Sequence, residues 1–342
     1  MTMNTRVKVS IVIKAFNEEA KIGSTIVSAI HAISFVGGEV ILADSYSTDR
    51  TVSIASKYPI KITQLTNPDE RCCGIGGQLG YQAAFGEFIW IVDGDMVLSA
   101  EFLAAALRTL ENEPQLAGVG GRVIEKNLDS LEFRARLLRA PVNLQPGEVD
   151  RLDGGGVYRR SAIISIGYFT NRNLHSYEEY ELAARLRTAG WKLKRMNIES
   201  VTHFGHQIEA YSLLKKRWTS GYVLGIGELL RSAIWKPHLK LILIEVKELR
   251  LYSIVIIWWI FLIYGFFEFS NYKLVVINLA VAPFAVMSLR KKSIPMGIYS
   301  VFSWNFYAIG LLRGLFKKQY PPNKIIKSQT ILSATSNITV ER

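Results

Sequence analysis

Asp93-Gly94-Asp95 places two carboxylates two residues apart, with a glycine between them that permits a tight turn. Carboxylates this close repel unless a cation sits beside them. A hard divalent ion, held by one or two carboxylates and otherwise by diphosphate oxygens and water, is the usual solution. Asp-Gly is also a common turn pair, so spacing alone leaves a turn and a metal site both open. Asn17, Glu18 and Asp44 carry the same double meaning, since each could bind a ligand or cap a loop. Glu178 and Glu179 open a helix, where the dipole alone favours carboxylates, so their spacing assigns no base. Glu181 and Arg185 at i, i+4 read as a solvated ion pair. His203 and His206 have a spacing open to metal ligation, yet no carboxylate lies beside them in sequence.

The elements that must position these groups follow from hydrophobic patterning. Val7–Ile13 is a strand rich in β-branched residues, Ala15–Glu19 is the loop after it, and Glu19–Ile33 has helical periodicity. Glu39–Ala43 is a second strand ending at Asp44, Arg50–Tyr58 a helix, Ile60–Leu65 a third strand and Gly77–Ala84 a helix. Phe88–Val92 is a fourth strand running into Asp93. Further on, Tyr177–Ala189 reads as a helix and Ile198–Thr202 as a short strand. Strands alternating with helices imply an α/β fold with a mostly parallel sheet. Ligands bind such sheets at the carboxyl ends of the strands, where Asn17, Asp44 and Asp93 all fall.

The chain has 342 residues, 49% of them hydrophobic, and a net charge of +12. Its mean hydropathy is +0.17. The apolar residues are unevenly placed: 1–206 mixes charge with apolar residues as a globular domain does, 207–250 has an amphipathic, interfacial character, and most of 251–315 carries very little charge. Within the last stretch lie Ile254–Phe267, Leu274–Leu289 (with Pro283) and Ile294–Leu312, giving two to three membrane segments before a basic tail, 316–342. Much of the basic excess flanks these segments, at Lys215, Lys216, Arg217, Arg290, Lys291, Lys292, Lys317 and Lys318. That placement fits an anionic membrane face, and with no zinc spacing or basic recognition helix it argues against nucleic acid. Two adjacent cysteines, Cys72 and Cys73, supply no disulfide framework, and no signal peptide is recognised. Positive-inside reasoning puts Arg290-Lys291-Lys292 in the cytoplasm with the catalytic domain after two spans, whereas a third full span would put Lys317 and Lys318 outside.

In this order, the motifs resemble those of the family 2 glycosyltransferases, inverting enzymes of the GT-A fold, and especially the membrane-anchored members. Val9–Glu19 looks like the opening strand and nucleotide loop (Ala15, Asn17, Glu18), with Lys14 where proline is usual. The stretch around Asp44 is similar to the family's nucleobase-binding segment. Gly76-Gly77-Gln78 occupies the place of the usual Ala-Arg-Asn, so the arginine that would meet phosphate is absent, with Arg71 a possible substitute. Asp93-Gly94-Asp95 matches the metal motif, and Gly154-Gly155 resembles the acceptor-side Gly-Gly. Glu178-Glu179 is similar to the Glu-Asp motif that puts the catalytic base at Glu179. Either His203 or His206 resembles the histidine near the metal, and Arg217-Trp218 is similar to part of the motif of processive members, though Leu214 replaces its glutamine.

The resemblance implies a single displacement at the anomeric carbon of a nucleoside-diphosphate sugar, assisted by Mn2+ or Mg2+. The acceptor would be a lipid-linked saccharide or cell-surface glycan at a cell membrane, met by a multi-pass protein whose catalytic domain faces the cytoplasm. Three alternatives remain: transfer to a polyprenyl phosphate, a nucleotidyltransferase, and a non-catalytic nucleotide-sugar-binding scaffold. The nucleotidyltransferase is disfavoured because Asn17-Glu18-Glu19 is not a glycine-rich basic loop.

Overall fold

A computed structural model describes residues 7–126, 142–204, 209–268 and 270–332. The chain divides into two compact units, one of 1–208 with 319–342 and one of 209–318. In the first, the elements run β1 (Val9–Ala15), α1 (Ile22–Ser34), β2 (Gly38–Asp44), α2 (Thr51–Ala55), β3 (Lys61–Leu65), α3 (Cys73–Ala83), β4 (Phe88–Asp93), β5 (Met96–Leu98) and α4 (Ala100–Asn112). They continue with β6 (Leu116–Glu125), β7 (Gly147–Glu148), β8 (Gly156–Arg159), α5 (Arg160–Ser165), α6 (Glu178–Thr188) and β9 (Lys192–His203).

These strands form one mixed sheet, in the order β10-β3-β2-β1-β4-β8-β6-β9-β5, with β7 beside β9; β10 is Ser328–Leu332. The β3, β2, β1 and β4 neighbours are parallel, as are β6 and β9, whereas β8 runs antiparallel to β4 and β6. This is the expected α/β architecture. β1 and β4 contain continuous apolar runs, 11–13 and 88–92, because helices cover both faces of the sheet. Ile11, Ile13, Trp90 and Phe88 face one layer with Ile22, Ile26 and Phe102, and Val12, Ile89 and Ile91 face the other with Ile75 and Leu79.

Within this unit three elements depart most from the expected bounds. α3 begins at Cys73 rather than Gly77. Its glycines are poor helix formers, but Gly80 has no room for a side chain, since a Cβ there would lie 2.1 Å from Val12 Cγ1. Packing against the sheet therefore holds a helix that propensity does not predict. β9 spans 12 residues because its pairing with β6 carries it past the apolar run into Lys192–Ile198. Residues Ser328–Leu332, expected in a basic tail, pair antiparallel with β3, and Ile326 beside them is buried. They cover an edge that would otherwise present unpaired N–H and C=O groups.

The second unit is helical: α7 (Ala210–Thr219), α8 (Gly225–Ala233), α9 (Leu239–Glu245), α10 (Lys247–Glu268), α11 (Lys273–Lys291) and α12 (Ile294–Phe316). Among the described residues α10 and α11 are long and apolar enough to cross a membrane. At 1.5 Å per residue, their 22 and 19 residues approach the ~30 Å of a hydrocarbon core. Only 22% and 6% of their apolar windows are buried, so they do not serve as core helices of this chain. α11 runs through Pro283, while α12 presses Gly310 and Gly314 onto the backbone at Val223 and Leu224.

Candidate active site

The carboxyl edge of the parallel strands collects the expected groups. At the end of β1, Asn17 adopts φ +55° and its Oδ1 accepts the Thr48 N–H at 2.8 Å. Glu18 donates its N–H to Thr51 Oγ1 at 2.8 Å, and the stem of its side chain lies over Gly94. Ala15 is buried, its carbonyl accepting the Ser45 N–H at 2.8 Å. At the end of β2, Asp44 is fully buried, accepting from Ser47 N–H at 2.9 Å and Gln64 Nε2 at 2.8 Å. These bonds make Asp44 the organiser of the loop that Asn17 also holds.

The chain turns at Asp93-Gly94-Asp95 into β5, with Gly94 C=O accepting from Thr25 Oγ1 at 2.8 Å. The two aspartates have different surroundings. Asp93 is half-exposed and its Oδ1 lies 3.0 Å from Lys14 Nζ. Asp95 is buried, with Oδ2 3.2 Å from His203 Nε2. β9 is flanked by β5 and β6, and this brings His203 level with Met96 on one side and Glu125 on the other. His203 Nδ1 meets the Glu125 carboxylate, so the imidazole lies between two acids. Burial opposes its charge, but hydrogen bonding and charge from Asp95, then Glu125, outweigh burial and push its pKa up to about 9. The missing carboxylate partners of His203 were thus 78 and 108 residues away in sequence and adjacent in the sheet. His206 lies outside the described residues.

Glu178 and Glu179 stand at the start of α6, after Tyr177, a tyrosine held at φ +66°. Such backbone is costly for a bulky residue and recurs at functional sites. Gly154 and Gly155 adopt φ +83° and +97°, and a Cβ on Gly155 would lie 2.9 Å from Ile91 O, so the tight turn requires glycine. That turn directs the Gly154 N–H toward Glu179 Oε2 at 3.4 Å. Burial and the neighbouring Asp153 push the Glu179 carboxyl up to about 8, and burial raises Glu178 as well. Asp153 is itself held by Arg151 at 2.9 Å and Asn143 at 2.8 Å.

Sequence comparison bears on the same strands: residues 10–167 match the family model described as glycosyl transferase family 2. Residues 10–167 thus carry a family 2 glycosyltransferase domain.

A dolichol-phosphate mannosyltransferase from Pyrococcus furiosus is 25% identical over 122 residues, 34% of this chain and 34% of that protein. The alignment thus spans about a third of that relative. The structure of a mannosyltransferase from Pyrobaculum calidifontis, in complex with GDP-Man and Mn2+, is 18% identical, covers 92% of this chain and 89% of that one, and gives a TM-score of 0.56. The glucosyl-3-phosphoglycerate synthase of Mycobacterium tuberculosis, with Mn2+ and UDP bound, is 20% identical over 65% of this chain and 78% of that one, at a TM-score of 0.49. The Pyrobaculum likeness shows a shared GT-A fold.

Within the glycosyltransferase domain, other expected residues are engaged by the chain itself. Gln78 is buried and its Oε1 accepts the Phe169 N–H at 2.9 Å, tying α3 to the loop before α6. The Arg71 guanidinium lies 4.0 Å from the centre of the Phe16 ring, beside the loop after β1. Glu181 and Arg185 are buried rather than solvated: Arg185 Nη2 lies 2.8 Å from Glu181 Oε2, and Tyr168 O–H donates to the same carboxylate at 2.6 Å. The i, i+4 rule reports adjacency but not which face of the helix is covered. Arg217 and Trp218 belong to the helical unit, where Arg217 lies over the Tyr222 ring and Trp218 packs edge-on against Phe306.

No group of three His, Cys, Asp or Glu side chains surrounds a common point among the described residues. A preformed cage is not what a diphosphate-bound ion needs, because substrate oxygens and water fill most positions. Asp95 and His203 Nε2 offer oxygen and nitrogen donors suited to Mn2+. Glu125 on Nδ1 orients the ring, an arrangement usual for metal-bound histidines, and an ion would take the place of the Nε2 proton that faces Asp95. The donor set therefore fits the ion.

Proposed function

We propose that this chain is an inverting glycosyltransferase that moves a sugar from a nucleoside-diphosphate sugar to a hydroxyl of a lipid-linked saccharide or glycan at a membrane. One observation carries this reading: Glu179, which accepts the Gly154 N–H and is raised to about 8, shares a charge cluster with Lys14, Glu178 and Asp93, the first aspartate of the Asp93-Gly94-Asp95 turn. A carboxylate with a pKa near the operating pH is suited to general-base work. Glu179 would take the acceptor hydroxyl proton as its oxygen attacks the anomeric carbon and the nucleoside diphosphate departs. Asn17, Glu18 and the Asp44 loop would seat the nucleotide, and Gly154, Gly155 and Glu178 would border the acceptor. Asp95 and His203 would hold a divalent ion, Mn2+ or Mg2+, which when bound neutralises charge on the departing diphosphate. α10 and α11 support membrane association, which concentrates lipid-borne acceptors at the site.

A second reading, transfer to a polyprenyl phosphate, is favoured by the match to a dolichol-phosphate mannosyltransferase. Such an acceptor is already ionised at pH 7 and needs no base. The test is nucleoside-diphosphate release from UDP-, GDP- and dTDP-sugars by the full chain in lipid, with and without Mn2+. Metal-stimulated release with one donor is expected. Pyrophosphate release would point to a nucleotidyltransferase, and no release with any donor would refute the enzyme reading.

A further inference from the structure

Family 2 motifs normally supply an arginine from the helix before the metal motif, and here that place is Gly77. The structure has closed over it: a Cβ at Gly77 would lie 2.6 Å from Thr170 Oγ1 and 2.8 Å from Ile91 Cδ1. No side chain could leave the helix there without displacing both. At the neighbouring Gly76, a Cβ would lie 3.4 Å from Lys14 Cβ and Cγ, so the stem of Lys14 runs along the bare surface of α3. Lys14 itself stands where proline is usual, on β1, paired in register with Asp93. Its ammonium lies 3.0 Å from Asp93 Oδ1 and 3.8 Å from Glu178 Oε1, with 16% of the side chain exposed. The cation thus sits at the sheet edge between Asp93 of the metal motif and the start of the base-bearing helix.

We propose that Lys14 is a diphosphate-binding residue of the donor site, supplying from β1 the positive charge that the glycine-rich α3 does not. The inference rests on the glycosyltransferase reading and adds a residue to it. On facing elements the chain carries Gly77 on α3 and Lys14 on β1, where the motifs it resembles carry arginine and proline. The site otherwise gathers Asp93, Asp153, Glu178 and Glu179, which would repel an incoming diphosphate. An ammonium is a compact point charge on a flexible stem, able to leave Asp93 for a phosphate oxygen in the same space. Its pairing with Asp93 in the free chain also leaves Asp95, rather than Asp93, to the metal. Arg71 is the competing source of charge, but it is stacked on Phe16 at the loop after β1.

The experiment compares nucleosides with nucleoside diphosphates. Binding of uridine, guanosine, thymidine and their diphosphates to the full chain in detergent, with Mn2+, is measured by calorimetry for wild type and Lys14→Met. Loss of a charged phosphate contact should weaken diphosphate binding by about 10- to 100-fold while the nucleoside changes by less than about 3-fold. Equal changes for both ligands, or none, overturn the proposal. Because Lys14→Met leaves Asp93 without its partner, Lys14→Met/Asp93→Asn is compared with Asp93→Asn alone. A persisting diphosphate-selective loss supports the contact, whereas recovery shows that Lys14 only neutralises Asp93. A wild-type chain that binds none of the diphosphates overturns the glycosyltransferase reading, and this inference with it.

Discussion

Glu179→Gln separates the role of the carboxyl in stability from its role in chemistry. Its pKa in the folded chain is about 8 against an ordinary 4.5. Between those values the folded state keeps a proton that the unfolded state releases, so stability falls as pH rises through the window. At 1.36 kcal/mol per pH unit the cost above pH 8 is capped near ~5 kcal/mol. Partial exposure of the side chain and solvent screening reduce it to roughly 2–3 kcal/mol. Glutamine has no proton to lose, so the variant should be more stable than wild type at pH 9 and nearly equal at pH 5. Denaturant unfolding of the detergent-solubilised chain at both pH values measures this. A variant less stable at pH 9, or an advantage equal at both pH values, would refute the assignment. The same variant should lose on the order of 10²–10⁴-fold in transfer rate if the acceptor is a hydroxyl. Wild-type kcat/KM should also rise with pH through a limb near 8 that the variant lacks. Residual activity within about 3-fold of wild type would sink the base role and favour a phosphate acceptor.

Asp95→Ala should abolish Mn2+-dependent binding of nucleoside diphosphate, with Asp93→Ala weaker in effect, since only Asp95 lies against His203. Equal effects in a calorimetric titration would contradict that division. Glu125→Gln should weaken Mn2+ binding by roughly 10- to 100-fold through loss of control over the His203 ring orientation, read by electron paramagnetic resonance of free Mn2+. An unchanged affinity would remove Glu125 from the metal's support. Gly155→Ala should cost at least ~1–3 kcal/mol, because it must hold φ +97° and approach Ile91 O. Ile326→Ala, at a buried position beside β10, should cost roughly 2–5 kcal/mol in the same unfolding assay.

The parallel half of the sheet was legible because β1, β2 and β4 are buried on both faces and contain unbroken apolar runs at 11–13, 40–43 and 88–92. The strand-end residues were legible with them, since a polar residue ending such a run must sit at the carboxyl edge. α3 was cut short because four glycines in its first eight residues hide a helix held by packing. The pairing of His203 with Glu125 was not legible: it depends on the register of β6 against β9, and no local spacing encodes a register. Lys14 could be seen in sequence as a departure, but its place between Asp93 and Glu178 needed the fold. β10 escaped notice because Ser328-Gln329-Thr330-Ile331-Leu332 is short and its partner β3 lies more than 260 residues earlier.

The return of β10 to β3 constrains the path of the chain between them. Residues 209–318 leave the catalytic body and come back to the same body, which residues 319–332 help to build. If helices of that excursion cross a bilayer, the number of crossings must be even, or β10 could not reach the sheet. The two helices long and apolar enough, α10 and α11, satisfy this parity without α12. Lys317 and Lys318 then lie on the catalytic side, which removes the charge conflict that a third crossing would create. A chain cut before residue 319 would lose the strand that covers β3 and so open the edge of its own sheet.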